Sequence, residues 1–139
     1  MQSMKPILLV EDDTVDARTV KRALDDLGAT TPLIHLTNGE EALRYLRNDQ
    51  NERPCIILLD LNMPRMNGIE FLRAIKDEEN LKTIPVIVLT TSREGRDVLD
   101  TFDLNVAGYV VKPVDYKRFV DTIRTIDRYW SLSQLPVEV

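Results

Sequence analysis

Residues 56–68 read IILLDLNMPRMNG. Four apolar residues run straight into Asp60, followed by Asn62, a Met63–Pro64 break and Asn67–Gly68. An uninterrupted apolar run bounded by turn residues reads as a strand covered on both faces. Pro64 and the Asn-Gly pair prevent that strand from simply continuing. A carboxylate at the end of a buried strand is costly unless something pairs with it. The partner must therefore lie elsewhere in the chain.

Four further runs resemble the first: Ile7–Val10, Pro32–Leu36, Val86–Leu89 and Gly108–Val111. Amphipathic segments alternate with them. Residues 14–27 carry Val20, Ala23, Leu24 and Leu27 at helical spacing, with Gly28 as a stop. Asn38 reads as an N-cap before Glu40, Glu41, Ala42, Leu43 and Leu46. Asn67 caps a third helix carrying Ile69, Leu72 and Ile75. Residues 94–104, with Val98, Leu99 and Phe102, form a weaker fourth, and residues 115–130 a fifth. Five strands alternating with five helices make an open, doubly wound parallel α/β sheet. The common (βα)5 solution is flavodoxin-like, with strand order 2-1-3-4-5. The polar stretch RNDQNERP at 47–54 is a connection of more than usual length.

The carboxyl ends of the runs hold the chemistry. The first run ends in Glu11-Asp12-Asp13, the third in Asp60, the fourth in Thr90-Thr91 and the fifth in Lys112-Pro113. Ligands bind at that edge of an open α/β sheet, where the strand order reverses. With strands 1 and 3 as neighbours there, the acidic run and Asp60 converge. Clustered carboxylates repel one another and raise one another's pKa, a conflict that a hard divalent cation relieves. A carboxylate nucleophile, Mg²⁺, the ammonium of Lys112 and the hydroxyl of Thr90 are the parts needed to accept and hold a phosphoryl group.

The ordered set LLVEDD, LLDLNMPRMNG, VIVLTTS and GYVVKP resembles the response-regulator receiver domain of bacterial two-component signalling, over residues 5–130. The resemblance implies that Asp60 accepts phosphate from a sensor histidine kinase in a Mg²⁺-dependent reaction. It makes Asp12 a direct Mg²⁺ ligand and Glu11 an acidic neighbour acting mostly through water. It assigns the backbone carbonyl of Asn62 to the metal as well. Thr90 and Tyr109 match the switch hydroxyl and the switch aromatic, and Lys112 the lysine that pairs with the acceptor and then with the phosphate. The Lys112–Pro113 bond is expected to be cis, as in the family. Such a protein is a signalling phosphoacceptor that promotes only its own phosphorylation and dephosphorylation, not an enzyme acting on a separate substrate. Ser92 and Asn62 sit where the family tunes loss of phosphate by water, and both are small and neutral.

Other readings are weaker. A Mg²⁺-dependent phosphatase with an aspartyl nucleophile suits Asp60-Leu61-Asn62, but its nucleophile belongs on the first strand, and no cap segment is evident. A degenerate, phosphate-independent binding module is disfavoured by the intact set of Asp60, Thr90 and Lys112. Asp13 is best read as a helix cap. Cys55 reads as a small buried hydrophobe. His35, the single histidine, is a half-exposed strand residue away from the cluster.

Bulk properties fit. The 139 residues suit one domain, and 43% hydrophobic with 29% charged residues is an ordinary globular balance. A net charge of −5 argues against a nucleic-acid binder. No run is long enough to span a bilayer and no signal peptide is evident, so a cytoplasmic location is expected. Tyr116, Phe119, Ile123, Ile126 and Trp130 form an apolar stripe, with Val120 beside it. Trp130, Leu132 and Leu135 extend past the expected domain edge as apolar surface. Residues 131–139 leave no room for an output domain and read as a C-terminal extension that could act as a dimerisation arm. The polar loop and the WSLSQLP ending also resemble stand-alone receivers partnered with bacterial phytochrome kinases, which would imply a homodimer through residues 115–135.

Overall fold

A computed structural model describes residues 5–28 and 31–132, the last two by their backbone alone. Elements alternate strictly along the chain. They are β1 (Ile7–Val10), α1 (Thr14–Asp26), β2 (Leu33–Leu36), α2 (Gly39–Arg47), β3 (Ile56–Leu59), α3 (Gly68–Lys76), β4 (Val86–Thr90), α4 (Gly95–Asp103), β5 (Gly108–Val111) and α5 (Tyr116–Leu132). All five strands are parallel in one sheet of order β2-β1-β3-β4-β5, as expected. Leu135 and the rest of the extension beyond residue 132 lie outside the described residues.

The strand runs are apolar throughout because helices cover both faces of the sheet. Alternate side chains divide between two cores. Leu8, Val10, Ile57, Leu59, Val86 and Val88 pack with Ala42, Leu43, Phe71, Leu72 and Ile75 of α2 and α3. Ile7, Leu9, Ile56, Leu58, Ile87 and Leu89 pack with Ala17, Val20, Ala23 and Leu24 of α1 and Phe119 and Ile123 of α5. Each buried Val, Leu, Ile or Phe among them contributes about 1.5–3 kcal/mol by leaving water, which fixes the sheet as a rigid base for the loops at its carboxyl edge.

Side chains close the helix ends. Asp13 accepts from the amides of Val15 and Asp16 at the start of α1, and Asn38 from that of Glu41. Asn67 and Glu70 form a reciprocal capping box on α3. Gly28 stops α1 with a φ of +70°, as its position predicts.

Several expectations need correction. Tyr116, placed in the apolar stripe of α5, is exposed, because the stripe turns inward only from Phe119 onward. Trp130 is not an exposed extension. It is half-buried against the α1/α5 core beside Cys55. Its indole N–H lies near the Cys55 thiol without a well-formed hydrogen bond. Burial pushes that thiol's pKa up. On α4, Leu99 and Phe102 face solvent at 63% and 50% exposure, and only Thr101 is buried. The Lys112–Pro113 bond is trans, in line with the intrinsic preference of X–Pro bonds.

Gly68 is required for close approach rather than for turn chemistry. A Cβ there would sit 2.5 Å from the Asp60 carbonyl oxygen and 2.7 Å from Leu61 Cα. Both are backbone atoms that cannot step aside. Gly68→Ala is expected to cost about 2 kcal/mol. Gly95→Ala at the start of α4, where nothing lies within 4 Å, is expected to be neutral or stabilising by about 0.5 kcal/mol. Urea unfolding midpoints of the two variants measure the contrast.

Candidate functional site

Strand register assembles the site. Val10 lies opposite Leu59 in the β1–β3 ladder, so the residues that follow each strand emerge side by side. The Asp60 amide donates to the Val10 carbonyl at 3.0 Å, and the Glu11 amide to the Leu36 carbonyl at 2.9 Å. Glu11 and Asp60 are buried, while Asp12 faces solvent. One carboxylate oxygen from each of Glu11, Asp12 and Asp60 falls within 4.8 Å of the others.

Lys112 reaches this group from the end of β5. Its amide donates to the Thr90 carbonyl at 2.7 Å, which fixes the base of the side chain. The buried ammonium donates to Glu11 and, at 2.8 Å, to Asp16. It stands 3.6 Å from Asp60. Burial works against its charge, but the hydrogen bonds to Asp16 and Glu11 and the nearby Asp60 outweigh it, so its pKa is raised. Glu11 is the group under stress. Burial raises its pKa to about 8, and the Asp60 charge adds to this, against the opposing pull of Lys112.

The donor set fits a hard divalent cation. Three carboxylates share one ammonium, and two of the three are buried. Burial, with the Asp60 charge beside it, holds the pKa of Glu11 up despite the hydrogen bond from Lys112. Mg²⁺ prefers carboxylate oxygens and retains waters, and the exposed Asp12 leaves the group open to solvent on one side. Asn62 follows two residues after Asp60, exposed, with its amide 3.4 Å from Asp60 Oδ1.

The remaining predicted residues fall into a second group. Thr90 ends β4, fully buried, next to the strand that leads into Asp60. The Ser92 amide approaches its hydroxyl at 3.4 Å. Tyr109 makes its hydrogen bond outside the acidic trio. Its hydroxyl donates to the Ser92 carbonyl at 2.9 Å, linking β5 to the loop after Thr90. Ser92 in turn donates from its hydroxyl to Asp97 at 2.6 Å.

Two residues stand differently from their sequence reading. His35 is exposed on β2, but its Nε2 lies 2.7 Å from the Glu11 carbonyl oxygen, so it borders the cluster rather than lying away from it. Asp16 was not singled out from sequence, because an acid in a helix's first turn ordinarily answers the helix dipole. The available signal was its place in the turn that directly follows the acidic run, on the same edge of the sheet.

The response regulator receiver domain model matches residues 7–124. Probable methanogenesis regulatory protein FilR2 of Methanothrix harundinacea is 39% identical over 127 residues, spanning 89% of this chain and 82% of that protein. Response regulator Rcp1 of Synechocystis, solved in a Mn²⁺-bound form, is 38% identical with a TM-score of 0.90, over 96% of this chain and 99% of that one. The phosphorylated cyanobacterial phytochrome response regulator RcpA is 35% identical with a TM-score of 0.90, over 97% of this chain and 100% of that one.

The Glu11 shift has a pH consequence. Between about pH 4.5 and pH 8 the folded, metal-free protein holds a proton on Glu11 that the unfolded chain has released. Stability from this group is complete below the lower value and is lost as pH rises through the upper one. A divalent cation held by these carboxylates would displace the same proton, so Mg²⁺ affinity is expected to rise across this window and level off above pH 8. Calorimetric Mg²⁺ titrations at a series of pH values, with metal-free thermal melts alongside, measure both trends.

Proposed function

The chain belongs to the response-regulator receiver family, and from that premise we propose that Asp60 is its phosphoacceptor, serving a sensor histidine kinase. The observation that carries this reading is the convergence of Asp60 with Glu11, Asp12 and Lys112 at the carboxyl edge of the sheet. In the forward step an Asp60 oxygen attacks phosphorus. The P–N bond of the phosphohistidine breaks, and its electron pair returns to the imidazole, which takes up a proton. In the return step water attacks phosphorus, the P–O bond to Asp60 breaks, and phosphate leaves.

Glu11, Asp12, Asp60 and the Asn62 carbonyl would hold Mg²⁺, which supplies charge neutralisation at the phosphoryl oxygens when bound. Lys112 contributes a fixed positive charge beside the same oxygens. Thr90 offers its hydroxyl to the phosphoryl group. Tyr109 follows it through the shared Ser92 segment, shifting the population between two states of the α4–β5–α5 surface. The output is a change in protein contact rather than nucleic-acid binding, in keeping with the net charge of −5. The receiver spans residues 5–130 in this reading.

The partner is a bacterial phytochrome kinase, a reading supported by the likeness to RcpA, and the exchange takes place in the cytoplasm. No helix among the described residues is long and apolar enough to cross a membrane. The chain pairs with a second copy through residues 115–135. The exposed Tyr129 and the alternating charges of Asp121, Arg124, Asp127 and Arg128 on α5 support a self-complementary contact.

Two measurements test this. Intact mass after incubation with Mg²⁺ and acetyl phosphate is expected to show one added phosphoryl group on the wild type. None is expected on Asp60→Asn or without Mg²⁺. Failure with both acetyl phosphate and a histidine kinase donor would overturn the phosphoacceptor role. Light scattering is expected to give a dimer mass for the wild type and a monomer mass for Tyr129→Arg, with phosphoryl uptake retained by the variant.

A further inference from the structure

Lys112 is surrounded by three carboxylates that are not equivalent. Glu11 and Asp60 belong to the acidic trio that fits a divalent cation. Asp16 does not. A divalent cation held by the trio would take up the charge of Glu11 and Asp60 and would also repel the ammonium beside them. The hold of those two carboxylates on Lys112 would then weaken when the lysine is needed near Asp60. Asp16 keeps its whole charge for Lys112. It sits on a different element, the first turn of α1, and its amide donates to the Asp13 cap at 3.2 Å, which anchors that turn. Its side chain is 27% exposed, against 2% for that of Glu11.

We propose that Asp16 is a positioning residue for phosphoryl transfer. It is the dedicated counter-ion that keeps Lys112 aimed at Asp60 while the divalent cation occupies Glu11, Asp12 and Asp60. The proposal rests on the phosphoacceptor reading for its consequence and on the Asp16–Lys112 contact of 2.8 Å for its geometry. It differs from a structural salt bridge in one respect: the pair holds with the metal bound as well as without it. It also links the first turn of α1 to the reacting group through Lys112.

The test is a double-mutant cycle of Asp16→Asn and Lys112→Met, read by thermal melting with and without saturating Mg²⁺. Asp16→Asn is expected to lower the melting temperature by about 3 °C where Lys112 is intact, and by much less in the Lys112→Met background, with Mg²⁺ present as well as absent. At saturating Mg²⁺ its initial rate of phosphoryl uptake from acetyl phosphate is expected to fall about tenfold. Asp16→Glu, which keeps the charge, is expected to recover most of that rate. Equal losses of melting temperature in both backgrounds with Mg²⁺ present would overturn the proposal, as would an unchanged rate in Asp16→Asn. A wild type that takes no phosphoryl group from any donor sinks the phosphoacceptor reading instead, while the melting cycle still judges the pair.

Discussion

The carboxyl edge of the sheet crowds more carboxyl groups together than its single ammonium can pair. Glu11 and Asp60 are brought together by the β1–β3 register, and that register is set by apolar side chains with no part in the chemistry. The core therefore imposes an electrostatic cost that the loops must answer. Lys112 answers part of it from the end of β5, while burial still pushes the pKa of Glu11 up. A site under this tension has a standing affinity for positive charge and for chemistry that redistributes negative charge.

Much of the fold could be read from the chain because its signals are local and agree with one another. Continuous apolar runs bounded by turn residues point to covered strands, and Asp13, Asn38 and Asn67 announce the helices that they cap. The acidic trio followed from topology, since strand order alone makes neighbours of Glu11 and Asp60. The exposure of Tyr116 and the half-burial of Trp130 did not follow, because they depend on how α5 crosses the sheet, which its periodicity does not encode. Asp16 was hidden for a related reason. Its partner, Lys112, is far away in sequence and follows a strand not adjacent to β1, so only the packed structure shows that the two meet.

The second group of residues differs in mechanical character from the first. Around the acids, each element is pinned by strand pairing. Around Thr90, the link to the surface runs through one short segment, with the Tyr109 hydroxyl on the Ser92 carbonyl and the Ser92 hydroxyl on Asp97. The helix that follows has little to anchor it. α4 buries only Thr101 and has no side-chain cap at its start. An element with so few buried contacts opens or shifts at low cost, so a small displacement near Thr90 meets least resistance there.

The lone tryptophan stands at the far end of this arrangement. Helices run back against the parallel strands, so the carboxyl end of α5 returns to the edge where β3 begins, and there Trp130 rests against Cys55. A thiol beside an indole quenches its emission. The chain thus carries its own optical reporter, placed at the opposite pole from the acids. Ultraviolet emission from this protein reads the seating of the last turns of α5 rather than events at Asp60. A change in brightness on phosphoryl uptake would be a record of motion carried from one pole of the sheet to the other.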